Sequence, residues 1–493
     1  MWPLCISFIF TAMNRKFFCL LCLTFLYGFS QAQDKWNLER CVAYAIANNI
    51  SVKQADVQAR ITALTVKLNK AGQYPNVGFS TSSGYNFGRS INPATNQFET
   101  NRFFFSNYQL QSSVNLFNWF SQRYAIEASK LDLQAADAAV DKARNDIALN
   151  VAVAYLQTLL ANEQVQISNV QIAQTLAQMD IVRKRVNAGA VPELNLVEAE
   201  AQMATDSSNY ITAISTYQQN LIQLKALLNL DMAVAFDIET PNVDRIPVES
   251  LAELQPAYVY QQALKNLPQQ RVNQFKYQSA VKNIRVARSS MYPTLSAFVG
   301  IGSTYSSLYP DRSRTVVTPG SGFDTVGLVV QTSPGVYQPI LSPKFQTYTP
   351  FATYGKQVFD INLGERIGLN LSIPIFNNRQ LRTNWERARL NAEGIKLQLQ
   401  QDNLSLQADI YNAYTNAVNA QQRYVSAQKA VEASQKALDF SQKRYDANLL
   451  SLFELLTNQN NLNRAKLNAA AAQFEYVFRM KLLEFYKGQG LKL

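Results

Sequence analysis

Several segments of the chain alternate regularly between apolar and polar side chains. Between positions 361 and 375 the odd positions are almost all Ile or Leu, and the even positions carry Asn, Gly, Arg, Ser and Pro. A period of two residues predicts a β-strand with one apolar and one polar face. The same alternation appears in three other segments, so we predict four strands, over about 77–87, 103–117, 294–305 and 361–376. The alternation is least regular in 294–305.

Two much longer segments have the composition of α-helices. Residues 119–188 and 378–447 contain no proline and are rich in Ala, Gln, Asn and Leu. At roughly 1.5 Å per residue, each predicted helix extends about 100 Å. Gly189 and Asn448 are predicted to end these helices, because both residue types adopt the left-handed backbone of helix C-termini. Shorter helices are expected to return along 193–230 and 452–487, which makes two helical hairpins.

The predicted elements occur twice in the same order. Tyr74-Pro75 recurs as Tyr292-Pro293, Val114–Asn118 recurs as Ile373–Asn377, and Arg183–Gly189 recurs as Gln442–Asn448. We interpret this pattern as an internal duplication. The first repeat covers 33–250 and ends in an equatorial linker over 231–250, and the second repeat covers 251–493. One insertion in the second repeat, within about 305–360, is rich in Pro, Gly, Ser, Thr and Tyr and is predicted to be a loop.

The N-terminus has the pattern of an export signal. Arg15 and Lys16 precede an apolar run from Phe17 to Phe29, and a small-residue cleavage pattern ends at Ala32. We predict a signal peptide over 1–32, with Met13 as an alternative start of the protein. The rest of the sequence has no apolar run of about 18 residues, so any membrane insertion must use strands.

Alternating strands suit either a half-buried soluble sheet or a membrane barrel. Export, the Phe- and Tyr-rich strand ends and the unequal loop lengths favour the membrane. Four strands cannot close a barrel, and an open sheet edge cannot face lipid, because its backbone groups would be unpaired. Several copies must therefore share one barrel, and the strand pattern leaves their number open. The predicted fold class is an α+β membrane protein: a shared transmembrane β-barrel, with four strands per chain, continued by long antiparallel α-helical hairpins.

The composition argues against an enzyme. The 493 residues include no histidine, and Cys41 is the one cysteine outside the predicted leader. Without histidine, the chain lacks the commonest general base and the commonest metal ligand. A single cysteine cannot form an internal disulfide. The net charge of +11 is scattered along the chain, so no nucleic-acid partner is expected. We predict no catalytic residues, no metal site and no cofactor. The alternative to a channel is an exported structural or adhesive coiled-coil protein.

The repeated motifs resemble those of the TolC-like outer-membrane efflux family over nearly the whole mature chain. They are the opening Leu38-x-x-Cys41-Val42-x-x-Ala45-Ile46-x-Asn48-Asn49, the two Tyr-Pro pairs, the Leu-Phe-Asn and Ile-Phe-Asn strand ends, and the tip Ala188–Ala199. The resemblance implies a homotrimer with a twelve-stranded barrel in the outer membrane of a Gram-negative type envelope and a helical tunnel in the periplasm. It implies outer-membrane lipid, a periplasmic adaptor (membrane fusion) protein and an inner-membrane pump as partners. The implied function is passive passage of substrates in a tripartite efflux or type I secretion system.

The resemblance also implies that the hairpin tips are the functional site. Acidic residues on the return helices line the channel constriction of the family, and Glu454 matches one of them. Its counterpart in the first repeat is Asn195, and the next acidic position of the family is Thr457 here. For Glu454, an ordinary solvated helix charge is the alternative interpretation.

Tip closure in the family involves a tyrosine and an arginine. Tyr445 matches the tyrosine, whereas the arginine position is Leu450 in this chain. Apolar packing of Leu449, Leu450 and Leu452 is therefore an alternative means of closure. The residues that fall in the adaptor-facing tip are Arg185, Gly189, Asp446 and Asn448.

Overall fold

The computed structural model describes residues 35–91, 97–240, 247–333 and 335–489. The predicted signal peptide lies outside these described residues. The chain divides into two compact units. A helical unit comprises the described residues up to 64, together with 130–278 and 393 onward, and a strand unit comprises 65–129 and 279–392.

The elements follow one another in two similar series. The first series is α1 (Leu38–Asn48), α2 (Ile50–Ala71), β1 (Asn76–Ile91), β2 (Phe98–Phe117), α3 (Ser121–Asn187) and α4 (Glu193–Leu228). The second is α5 (Pro256–Asn266), α6 (Pro268–Ser289), β3 (Thr294–Ser306), β4 (Val316–Ser333), β5 (Val336–Tyr348), β6 (Gly364–Ser372), α7 (Gln380–Asp446) and α8 (Leu452–Lys487).

The strand unit contains an antiparallel four-stranded sheet in the order β1-β2-β3-β6. Its register pairs Thr81 with Tyr108 and Tyr108 with Ser303. Because alternate side chains point to opposite faces, Phe79, Leu110 and Ile301 share one face, which we call the apolar face. The opposite face is polar and carries Ser80, Ser82, Asn107, Gln109 and Arg366 along a concave surface.

Strands β1 and β2 extend beyond the predicted 77–87 and 103–117, and two other segments of the strand unit also differ from the sequence-based expectation. The insertion predicted as a loop contains a long β-hairpin, in which β4 pairs with β5. Its Val, Phe and Tyr residues favour strand pairing, and irregularities such as the one between Pro319 and Phe323 absorb the prolines and glycines. Strand β6 is shorter than the predicted 361–376, because 357–361 forms a helical turn and Pro374 has no N–H to donate.

The helical elements of the two repeats have the same lengths. α1 and α5 contain 11 residues, and α2 and α6 contain 22 residues. α3 and α7 contain 67 residues, or about 100 Å of helix, and α4 and α8 contain 36 residues. Leu267 is extended because it precedes Pro268, and this separates α5 from α6.

Both long helices begin two residues later than predicted. Trp119 and Phe120 have φ values of 50° and 62°, and Asn378 and Arg379 at the matching junction have 52° and 64°. Two successive left-handed residues turn the chain between strand and helix, so neither pair is part of the helix. Apolar side chains hold the helical unit together, with Tyr155 fully buried and its hydroxyl 2.6 Å from the carbonyl oxygen of Glu239. None of the described helices has a stretch both long and apolar enough to span a membrane.

Candidate functional site at the hairpin tips

The turn at each hairpin tip is built in the same way. Gly189 has φ of 69° and Asn448 has φ of 57°, both in the left-handed region. The Gly189 N–H donates to Val186 O at 2.8 Å and the Ala190 N–H to Arg185 O at 2.9 Å. Asn448 and Leu449 repeat this pair of bonds to Tyr445 O and Arg444 O. These are the bonds of a Schellman-type helix end, which fixes the direction in which each return helix leaves.

The return helices begin differently in the two repeats. Ser451 caps α8, and its hydroxyl oxygen accepts a hydrogen bond of 3.2 Å from the Glu454 N–H. Pro192 stands at the corresponding position before α4 and makes no side-chain cap. The Asn195 N–H instead donates to Pro192 O at 3.1 Å. The backbone N–H groups in the first turn are therefore better satisfied in α8 than in α4.

The two tips pack on one another through a small apolar core, which we call the tip cluster. It combines Val182 of α3, Ala199 of α4, Tyr445 of α7, and Leu452, Leu455 and Leu456 of α8. Tyr445 is only 6% exposed, and the guanidinium carbon of Arg185 lies 5.5 Å from the centre of its ring. A cation over an aromatic face is attracted to it, so Arg185 joins the first tip to the second.

The Tyr445 hydroxyl is buried without a hydrogen-bond partner among the described residues. Leu450 is half-buried and packs against the tip cluster, whereas Leu449 is 69% exposed. Among the described residues of one chain, the Tyr445 ring is therefore part of an apolar contact and its hydroxyl makes no polar link. Of the leucines predicted to close the tip, Leu450 and Leu452 contribute to this packing.

The residues predicted for the constriction lie close to the tip cluster but do not form a site within one chain. Glu454 and Thr457 are exposed on the first turns of α8, and Thr457 donates a 2.8 Å hydrogen bond to Phe453 O. Asn195 is half-buried at the start of α4. Asp446 is exposed and accepts a hydrogen bond of 2.9 Å from Gln442. A ring of these residues requires further copies of the chain.

A buried polar network lies next to the tip cluster, and the sequence analysis missed it. Asp206 of α4 is 4% exposed. Its Oδ2 accepts hydrogen bonds from Thr175 at 2.7 Å and Gln171 at 3.2 Å, and its Oδ1 accepts one from Gln202 at 2.9 Å. Asn463 of α8 donates to Gln171, so the network joins both hairpins. The only available signal was the occurrence of Thr and Gln at core-facing helix positions, which solvated positions share.

The charges around the tips are mostly paired along the surface. Lys184 lies 2.7 Å from Asp180 and, as hydrogen-bond donor, lowers the pKa of that carboxyl below its usual range. Arg183 of α3 lies 3.6 Å from Glu200 of α4. Exposed pairs of this kind add little stability. The closeness of the two tips therefore depends mainly on the tip cluster and the Asp206 network.

Two further observations concern metal binding and thiol chemistry. The described residues contain no group of three or more Cys, Asp or Glu side chains arranged to hold a metal ion. Cys41 is fully buried, and burial raises the pKa of its thiol to about 12. A buried thiol of this kind is inert towards thiol chemistry at neutral pH.

The chain matches a family model and a curated protein. The family described as "Outer membrane efflux protein" matches residues 42–230 and 353–480. Nodulation protein T of Rhizobium leguminosarum bv. viciae is 26% identical over 163 residues, which are 33% of this chain and 32% of that protein. The chain thus matches about a third of the length of this curated relative.

Solved structures show the same fold over most of the chain. CusC superimposes with a TM-score of 0.73 at 17% identity, and the match covers 92% of each chain. The CmeC outer membrane channel of Campylobacter jejuni gives 0.69 at 18% identity, over 92% of this chain and 87% of its own. The predicted fold class, helical hairpins joined to a curled antiparallel half-barrel in a duplicated chain, is confirmed.

Proposed function

The chain belongs to the outer membrane efflux protein family, a family of non-enzymatic channels of the outer membrane, and from this premise we propose how it forms its channel. Three copies share one barrel, and their hairpins form a periplasmic duct behind it. Substrates pass through passively after an inner-membrane pump delivers them through a periplasmic adaptor. Surfaces that a single copy leaves uncovered support this arrangement.

The observation that carries the proposal is the open sheet of the strand unit. β1 and β6 are its outer strands, and within the described residues neither has a strand partner on its outer side. One face of this sheet exposes large apolar side chains, with Phe79 65% and Ile367 84% exposed. A sheet with an apolar face towards lipid needs closed edges, because unpaired backbone groups are costly there. β1 and β6 run in opposite directions, so β6 of one copy can pair with β1 of the next in an antiparallel barrel.

The polar face of the sheet supports three copies rather than two. Two copies give eight strands, a barrel whose interior side chains fill, whereas three give twelve and leave a lumen. The concave polar surface with Asn107, Gln109 and Arg366 would line that lumen. Side chains of this polarity and length are suited to contact with water rather than to a packed core.

The helices also expose apolar stripes that further copies would cover. On α2, Val52 and Ala59 are buried, while Ile50, Val57, Ile61 and Leu64 are at least half exposed. On α7, Leu397 and Leu404 are about 60% exposed and recur every seven residues. Stripes with this spacing are the contact surfaces of coiled coils, so we assign them to contacts between neighbouring copies.

We assign the narrow end of the duct and its contacts to the tips. Glu454 of α8, with Asn195 at the matching position of α4 and Thr457 nearly one turn further along α8, lines the constriction. Tyr445 and Leu450 keep it closed by packing. Leu449 and the matched pair Leu194 and Phe453 are exposed apolar side chains at the tip and suit an adaptor protein. The adaptor-facing surface also includes Arg185, Gly189, Asp446 and Asn448.

Native mass measurement and planar-bilayer recording test the proposal. We expect a trimer with a cation-preferring conductance, and we expect Glu454→Gln to reduce that preference. Asp446→Asn, which removes a neighbouring exposed acid, is the matched control and should leave selectivity unchanged. If the resting tip is closed, Tyr445→Ala should raise the conductance. Monomers, or trimers that conduct neither as wild type nor as Tyr445→Ala, would contradict the channel. For the adaptor-facing surface, Leu449→Asp should impair efflux in cells without lowering the amount of channel in the membrane.

A further inference from the structure

A short segment of the strand unit, residues 350–363, carries an apolar surface that the proposed channel does not use. It contains the helical turn Gln357–Ile361 and lies between β5 and β6. Its inner side is buried, with Ala352, Gln357 and Val358 at most 7% exposed. Its outer side exposes large side chains: Phe351 60%, Tyr354 46%, Phe359 73% and Leu363 45%. We call this outer side the aromatic belt.

The segment is tied firmly to the end of β3. The Gln357 side chain accepts a 2.9 Å hydrogen bond from the Ser306 N–H and donates to Ser306 O at 3.0 Å and Ala352 O at 2.8 Å. Ser303 donates to Val358 O, and Asn362 donates to Thr304 O, both at 2.7 Å. A fully buried amide with all these bonds fixes the segment in one position. The aromatic belt is therefore a built surface rather than a loose loop.

The segment covers the central strands on the apolar face. Ser303 pairs with Tyr108 of β2, and the hydroxyls of Tyr108 and Tyr354 lie 2.7 Å apart. Tyr108 and Ser303 are on the same face as Leu110 and Ile301, which is the apolar face. In the proposed barrel, neighbouring copies meet at β1 and β6. Tyr354 of the aromatic belt contacts Tyr108 of β2 and Tyr305 of β3, so this part of the belt lies between those seams and continues the lipid-facing surface.

The height of the belt fits one boundary of a membrane. An aromatic group that includes Phe117, Trp119 and Tyr292 marks the strand ends next to the helices, with the rings of Trp119 and Tyr292 4.8 Å apart. From Phe117 back to Tyr108 there are about nine residues, or roughly 23 Å along the membrane normal at the usual rise and tilt of barrel strands. The apolar band of such barrels is about 25 Å tall.

We propose that the 350–363 segment is a lipid anchor whose aromatic belt inserts into the outer boundary of the membrane, at the level where head groups meet acyl chains. Tyr side chains favour that boundary, because they combine an apolar ring with a hydroxyl that tolerates water, and Phe and Leu side chains bury apolar area at its acyl-chain side. Lys356 is already paired with Asp311 at 2.9 Å, so the belt carries no free lysine charge at its centre. The inference rests on the proposed function, since it needs the barrel in lipid.

Site-specific fluorescence tests the anchor, because Cys41 is fully buried and gives no labelling background in the mature protein. Phe359→Cys is labelled with an environment-sensitive dye, and the channel is reconstituted in phosphatidylethanolamine–phosphatidylglycerol vesicles that contain nitroxide-labelled phosphatidylcholine. We expect blue-shifted emission, with a greater loss of emission when the nitroxide is near the head group than when it is near the chain end.

Two matched variants separate the anchor from the channel itself. Leu369→Cys, on the apolar face of β6, should be quenched more strongly by the deep nitroxide. Asn107→Cys, next to Tyr108 but on the polar face, should stay unquenched. If position 369 is quenched but position 359 is not, the anchor is wrong and the barrel stands. The same holds if position 359 is quenched more strongly by the deep nitroxide, as position 369 is. If position 369 is unquenched, the barrel is not in lipid and the proposed function fails with it.

Discussion

Replacing Tyr445 by phenylalanine should stabilise the hairpin tips rather than weaken them. The ring of Tyr445 is buried in the tip cluster, and its hydroxyl has no hydrogen-bond partner in the described part of the chain. A buried hydroxyl without a partner costs about 1–3 kcal/mol in desolvation. Phenylalanine keeps the ring and the contact with Arg185, so Tyr445→Phe should raise the stability of the tips by about 1 kcal/mol. Tyr445→Ala should instead lose about 3–5 kcal/mol through the cavity that it creates.

Hydrogen exchange measured by mass spectrometry is the suitable assay, because it reports the opening of the tips locally. Peptides covering 179–199 and 438–456 should exchange about fivefold more slowly in Tyr445→Phe, which corresponds to about 1 kcal/mol. Tyr217→Phe is the matched control, since the Tyr217 hydroxyl donates to Asp237 at 2.8 Å and its removal should speed local exchange. Faster exchange at the tips of Tyr445→Phe would show that the hydroxyl has a partner, and the reasoning would be refuted.

Three further predictions concern other positions of the helical unit. Gly189→Ala should lower the stability of the first tip by about 1 kcal/mol, because alanine is strained at φ of 69°. Gly189→Asn should lower it less, since an asparagine, Asn448, occupies the matching position of the second tip. Hydrogen exchange of the first tip distinguishes the two variants. Asp206→Ala should lower the free energy of unfolding by about 3 kcal/mol, because the buried Thr175 hydroxyl and one N–H of Gln171 lose their acceptor. The melting temperature should drop further for this variant than for Asp206→Asn. The Glu249 carboxyl accepts a hydrogen bond from Lys487 at 2.9 Å, which lowers its pKa below the value of the unfolded chain. The stabilisation, at most about 1 kcal/mol, is therefore present at neutral pH and is lost as pH falls through the lowered pKa. The difference in melting temperature between wild type and Glu249→Gln should accordingly shrink on acidification, and a constant difference would contradict the ion pair.

The sequence predicted those parts of the fold that depend on periodicity. Strand alternation is imposed by the pleat, and it located β1, β2, β3 and β6 because one face of each is apolar. Gly189 and Asn448 marked the helix ends because the left-handed backbone restricts the residue types that fit. The family match bears out the non-enzymatic function that the missing histidines suggested.

The parts that could not be predicted depend on tertiary contacts. Trp119 and Phe120 take up the left-handed backbone without being residues that favour it, so no local signal marked the late start of α3. The β4–β5 hairpin has prolines and glycines that are typical of loops, and only its cross-strand pairing shows it to be a strand pair. The Asp206 network was equally hidden, because Gln and Thr on a helix are usually solvated.

The equal helix lengths in the two repeats constrain how such a chain can change during evolution. Deleting one residue from α3 alone would rotate everything beyond it by about 100° and shift it by about 1.5 Å, while α7 stayed in place. The partners of the tip cluster, which come from both repeats, would then no longer face one another. Viable changes of length should therefore occur in both repeats together and in whole turns of helix. Single-sided insertions and deletions should accumulate in the β4–β5 hairpin, where the second repeat already differs in length from the first.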